Sequence, residues 1–118
     1  MSETRFRQIA LSLPNAIEGA HQGHADFRVG TRVFATLGYP DDAWGMVKLT
    51  PEQQAILVES EPEIFRPVAG GWGKQGSTNV RLANADQATL RSALTMARNN
   101  IVGTSPKPRV KKKKEQKP

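Results

Sequence analysis

The sequence has 118 residues, with 17 Lys+Arg against 11 Asp+Glu, a net charge of +6 and no cysteine. One domain fits that length, and a chain of this size buries a self-sufficient core without covalent staples. The missing cysteine excludes disulfides, thiolate zinc sites, iron–sulfur clusters and cysteine nucleophiles. No apolar run approaches the roughly 20 residues of a membrane span, and the polar opening Met1-Ser2-Glu3-Thr4-Arg5 predicts a cytoplasmic protein without a signal peptide.

The elements follow in chain order. Phe6, Ile9, Ala10 and Leu13 repeat at the spacing of one helix face, so a helix is predicted over about Ser2 to Leu11, with Ser2 as N-cap and Pro14-Asn15 as its stop. A weak strand over Ala16 to Gln22 comes next. Ala25, Phe27 and Val29 then alternate, and so do Val33, Ala35 and Leu37, on either side of a Gly30-Thr31 turn. A two-residue loop places Phe27 opposite Phe34 and a three-residue loop places it opposite Ala35, which exchanges the faces of the second strand. After a turn at Gly38 to Asp42, Trp44 to Leu49 forms another strand.

Thr50-Pro51-Glu52-Gln53 is a helix start: Thr50 caps, Pro51 fills a position whose N–H has no partner, and Gln53 closes a capping box. That helix ends near Glu59. Ile64 to Val68 leads into Gly70-Gly71-Trp72-Gly73-Lys74-Gln75-Gly76, read as a loop from its glycines. Thr78, Val80 and Leu82 alternate as a strand. A second capping box, Asn84 with Gln87, starts a last helix whose apolar face is Leu90, Ala93, Leu94, Ala97 and Ile101. The expected fold is α+β, a two-layer sandwich with an antiparallel sheet of about five strands and helices on one face.

Charge divides the chain at residue 103. Lys107, Arg109, Lys111, Lys112, Lys113, Lys114 and Lys117 face only Glu115, so residues 103–118 carry the whole net charge. Residues 1–102 hold ten basic and ten acidic side chains and are neutral. Three prolines and like-charge repulsion predict a disordered tail behind a domain at 1–102. Such a run neutralises phosphates and releases counterions without reading sequence. It holds no aromatic ring on which a base could stack, so no preference for single strands arises from it. A solubilising tail is the bland alternative.

Within the domain, Phe27-Arg28-Val29-Gly30-Thr31-Arg32-Val33-Phe34-Ala35 resembles the hairpin of the bacterial MmcQ/YjbR-like proteins. Gly71-Trp72-Gly73-Lys74 through Leu82 resembles the Trp-Gly-rich stretch and following strand of that family, and Ala10 to Pro14 with Glu18 resembles its opening. The resemblance covers about residues 6–101. It implies an antiparallel α+β fold similar to type III secretion chaperones, and a DNA-binding role through two hairpin wings. The Lys-rich tail departs from the family pattern.

A wing reader would set Arg28, Arg32 and Lys74 against phosphates, although the neutral domain favours reading Arg28 and Arg32 as a solvated strand face. Trp72 is expected to fold back over the sheet edge and finish the core; lining a ligand pocket or partner groove is the alternative. His21 and His24 with Glu18 and Asp26 are the one cluster of metal-ligand type. On a continuous strand the two histidines face opposite ways, and only a turn at Gly23 brings them together. No catalytic residue, metal or cofactor is assigned. The reading is a non-enzymatic nucleic-acid-binding protein acting mainly through its tail, with a chaperone-like protein-interaction module as the alternative.

Overall fold

The structure, a computed structural model, describes residues 2–102; the basic segment of the sequence, with Lys107, Arg109, Lys111 to Lys114 and Lys117, lies outside the described residues. The elements are α1 (Glu3–Ser12), β1 (Ile17–His21), β2 (His24–Val29), β3 (Arg32–Leu37), β4 (Trp44–Lys48), α2 (Pro51–Ser60), β5 (Phe65–Pro67), α3 (Gly71–Lys74), β6 (Ser77–Arg81) and α4 (Gln87–Val102). They build one antiparallel sheet of six strands in the order β1-β2-β3-β4-β6-β5.

Local chemistry explains the element ends. The Ser2 hydroxyl accepts from the Arg5 N–H at 3.1 Å, and the Thr50 capping box closes through Gln53 N–H to Thr50 Oγ1 and Thr50 N–H to Gln53 Oε1, at 3.1 and 3.0 Å. The expected Asn84 box does not form. Asp86 caps α4 instead, accepting from the Thr89 N–H at 2.7 Å, and Asn84 donates to the Glu63 carbonyl. The helix starts two residues later than the Asn84 box requires, so the amide at the third helical position is that of Thr89, within reach of the ionised Asp86 oxygen, a strong acceptor. The bond from the Thr89 backbone N–H, with help from the Thr89 hydroxyl, holds the Asp86 carboxyl below the usual carboxylate range.

Two elements depart from expectation. The sheet has a sixth strand, β5, which is only three residues long and contains Pro67, so it shows no alternation in sequence. It lies at the sheet edge, where a proline costs no ladder bond. The glycine-rich segment is not a plain loop, because Gly71–Lys74 forms the short helix α3.

The hairpin register resolves the ambiguity left by the sequence. The loop has two residues, with Val29 opposite Arg32, yet Phe27 stands opposite Ala35. A bulge at Phe34 absorbs the extra residue, so Phe34 and Ala35 both enter the core. Beyond the bulge Thr36 returns to the other face, opposite Asp26.

The core lies on one side of the sheet. Phe6, Ile9 and Ala10 of α1 and Leu90, Ala93, Leu94, Ala97 and Ile101 of α4 pack over Phe27, Phe34, Ala35, Val47, Val80 and Phe65. The Phe6 ring presses on β4 where Gly45 leaves room for it. Leu57 and Val58 of α2 join the same core. Among the described residues no helix is laid across the other face; only α3, beside β6, rises at its edge.

Candidate functional site

The uncovered face can be read from the register, because residues paired across antiparallel strands share a face. One row runs across all six strands as Gly19, Asp26, Thr36, Met46, Asn79 and Arg66. Beside it, Arg28 pairs with Val33 and Lys48 with Ser77; on its other side His21 pairs with His24 and Trp44 with Arg81. Four cations, Arg28, Lys48, Arg66 and Arg81, thus come from β2, β4, β5 and β6, and Asp26 is the one acidic strand position among them.

Asp26 is fully buried and anchors the first strands of this face. Arg28 grips it through two parallel bonds, Nε to Oδ1 at 2.8 Å and Nη2 to Oδ2 at 2.6 Å. His21 Nδ1 lies 2.6 Å from Oδ2, and since an ionised carboxylate only accepts, Nδ1 carries the proton there. The Arg28 bonds hold the Asp26 carboxyl below the usual carboxylate range, against the opposing push of burial and with help from His21. Gly19 makes the arrangement possible. A Cβ at that position would stand 2.8 Å from the Arg28 guanidinium carbon, so only glycine leaves the guanidinium space over β1.

The turn Gln22-Gly23, with φ of 51° and 80°, has both central residues left-handed, as a type I′ hairpin turn requires. It brings His21 and His24 onto the same face, as only a turn could. The metal alternative gains nothing from this. Glu18 points away and pairs with Arg7 at 3.0 Å, and Asp26 is engaged by Arg28. Among the described residues no three His, Cys, Asp or Glu side chains meet as a metal would need.

The face is concave, with a cavity of about 540 Å³. At one end stand Arg28, Val33, Lys48 and Ser77, with Val68 and Trp72 as a wall; Thr36 and Met46 lie at mid-sheet, and His21, His24 and Tyr39 close the other end. Trp72 is 64% exposed, which overturns the expectation that it completes the core. The glycines around it serve a different close approach. A Cβ on Gly73 would sit 1.7 Å from the Val68 carbonyl oxygen, and one on Gly76 1.9 Å from that of Leu49. The segment therefore packs on its own protein's backbone, and Gln54 Nε2 ties it down by donating to the Gly73 and Ser77 carbonyls at 2.9 and 3.0 Å. With its backbone pinned this way, α3 leaves the indole in solvent.

Trp44 takes the buried role. It is only 7% exposed, because the guanidinium carbons of Arg66 and Arg81 lie 4.2 and 5.2 Å from its ring centroid.

Arg28, Arg32 and Lys74 do not form one surface. Arg28 belongs to the uncovered face. Arg32 pairs with Val29, whose side chain packs on the core, and so lies toward the helix side. Lys74 is exposed on α3, near Trp72 in sequence. Lys48, Arg66 and Arg81 complete the cationic face, and the sequence does not single them out. Each sits alone in its strand, and only strand order brings them together. Their one signal is parity with Asn79 and Met46, which becomes informative only once the register is known.

This is a two-layer α+β protein with helices on one face of an antiparallel sheet and a cationic, aromatic-edged cavity on the other. The chain belongs to the YjbR family, whose model matches residues 11–100. It is similar in fold to the crystal structure of Deinococcus radiodurans protein DR2400, a DUF419-domain protein, with a TM-score of 0.67 and 20% identity over 81% of this chain and 75% of that one. No curated protein matches it. Among the described residues no helix is long and apolar enough to cross a membrane.

Proposed function

We propose that this chain is a non-enzymatic, sequence-tolerant nucleic-acid-binding protein of a bacterial cytoplasm, with the phosphate contacts coming mainly from Lys107, Arg109, Lys111 to Lys114 and Lys117. The observation that carries the proposal is charge segregation at two levels. Residues 103–118 hold the entire net charge. The domain is neutral as a whole, yet it turns Arg28, Lys48, Arg66 and Arg81 onto the face that no helix covers. Among the described residues the ion pairs are Arg7–Glu18, His21–Asp26 and Arg28–Asp26, so Lys48, Arg66 and Arg81 have no carboxylate partner there. Cations held free of acidic partners on one face are the footprint of a polyanion.

The test is binding of labelled duplex DNA to the full chain and to a 1–102 truncation across a salt series. The expected result is binding by the full chain that weakens steeply with salt, and loss of most of it on truncation. Equal binding by the two forms would overturn the role given to the tail.

The exposed indole of Trp72 supports a second reading, a protein-interaction module. A Trp72→Ala variant that folds normally yet keeps every pull-down partner counts against it.

A further inference from the structure

The basic segment carries no aromatic residue and offers charge to phosphates alone, so it has no means of telling a single strand from a duplex. The cavity on the uncovered face has what the segment lacks. Its about 540 Å³ falls within the usual range for a small-ligand site. Trp72 stands at its wall with most of its ring in solvent, next to a row that holds Lys48 and Arg28. A flat ring and two cations lining one cavity match a base joined to a phosphate. The floor supplies a further, independent observation. Thr36 is buried at mid-sheet and lines the cavity, yet its Oγ1 has no hydrogen-bond partner among the described residues, and neither has Asn79 Oδ1 in the same row. Buried polar atoms are almost always paired. An orphan hydroxyl on the floor of an open cavity marks a place where a polar ligand completes the set.

We infer that this cavity holds one nucleotide unit, its base stacked on Trp72 and its phosphate at Lys48 and the outer edge of Arg28. The Thr36 hydroxyl on the floor is then available to the sugar or the base edge. The unit is either a free nucleoside monophosphate or an unpaired residue of a strand, since both present the same ring and anion. In a strand, the site rests on the nucleic-acid reading above and adds to it a preference for unpaired over paired bases, because a stacked and paired base cannot reach the indole. Asp26 has a supporting role: by holding Arg28 through Nε and Nη2 it leaves the Nη1 side of the guanidinium unbonded.

The experiment uses the full chain and follows tryptophan fluorescence and anisotropy. The probes are an oligothymidylate of about eight nucleotides, the scale of a single-strand site, a duplex of the same length, and thymidine monophosphate. The variants are Trp72→Ala, which removes an exposed ring, and Lys48→Gln as an independent probe that keeps both tryptophans. Circular dichroism and melting check that each is folded. The expected result is tighter binding to the oligothymidylate than to the duplex, a loss of about tenfold for the single strand in Trp72→Ala, a smaller loss in Lys48→Gln, and unchanged duplex binding in Trp72→Ala. If the duplex binds but neither variant lowers single-strand affinity, the cavity inference is overturned and the nucleic-acid reading survives. If no strand binds and thymidine monophosphate still quenches Trp72, the site takes a free nucleotide and the nucleic-acid reading fails. If none of the three probes binds, both are overturned.

Discussion

At the scale of single residues, Asp26 organises the uncovered face. A fully buried carboxylate survives there because two guanidinium bonds and one imidazole contact compensate its desolvation. Its pH dependence has a definite sign. The Arg28 bonds depress the folded-state pKa, so the stabilisation is complete above the ordinary carboxylate value of about 4 and is lost as pH falls from there through the lower folded value. Asp26→Asn is expected to lower the melting temperature at neutral pH and to narrow its gap from the parent below about pH 4; a gap that does not change with pH would show that Asp26 acts through packing alone. Gly19→Ala tests the space rather than the charge. The added methyl meets only the far end of Arg28, which can swing aside, so the fold is expected to persist while the Asp26–Arg28 bonds loosen. A crystal structure of the variant, or the nuclear magnetic resonance shift of the Asp26 carboxyl, reads this directly. The sequence displayed Asp26 and Arg28 two apart on a strand, hence on one face, but nothing in it showed that Gly19 lies across from Asp26.

At the scale of elements, the clearest case is α2. Thr50, Pro51 and Gln53 announce its start, and the reciprocal bonds form as their types require. Thr50→Ala is expected to cost about 1 kcal/mol of stability by chemical denaturation. α3 is the opposite case. Four glycines in seven residues read as a loop, yet two of those positions are glycine because α3 and the turn after it pack hard against the Val68 and Leu49 carbonyls. That need belongs to tertiary packing and leaves the same composition in sequence as a flexible turn. Gln54→Leu removes the donor that ties α3 to α2, while the Gly73 and Ser77 carbonyls keep their backbone donors Gly76 and Val68; the expected cost is about 0.5–1.5 kcal/mol. Amide exchange is expected to accelerate around Trp72 before it does in β2 or β3. β5 escapes sequence reading for a related reason, since three residues ending in a proline carry no period.

At the scale of the whole molecule, the layers decide where charge goes. α1, α2 and α4 put their apolar faces on one side of the sheet, which leaves the other side to hold its polar row in solvent or against a ligand. If Lys48, Arg66 and Arg81 share the neutralisation of phosphates with the basic segment, replacing the two arginines by glutamine lowers the slope of log affinity against log salt by about 0.9 for each duplex phosphate left unneutralised. It also uncovers Trp44, whose fluorescence reports the change independently. Truncation at 102 is expected to remove a larger part of the same slope, on the order of six phosphates if every surplus charge of the segment meets one.

The order of the elements apart from β5 and α3, the antiparallel sheet, the apolar faces of α1 and α4 and the concentration of net charge after residue 102 were determined by the sequence alone, because each is set by neighbours a few positions away: helical spacing, alternation, caps and runs of one charge. The hairpin register, the bulge at Phe34, the placing of Gly19 beneath the Arg28 guanidinium and the gathering of Lys48, Arg66 and Arg81 on one face were decided by tertiary structure. They depend on which strand lies beside which. The same holds for the two tryptophans. Trp44 is buried because two arginines from other parts of the sheet cover it, and Trp72 is exposed because its own backbone is pinned to the sheet edge. Burial of a side chain is a property of what packs over it, and in an antiparallel sheet those partners come from distant parts of the chain.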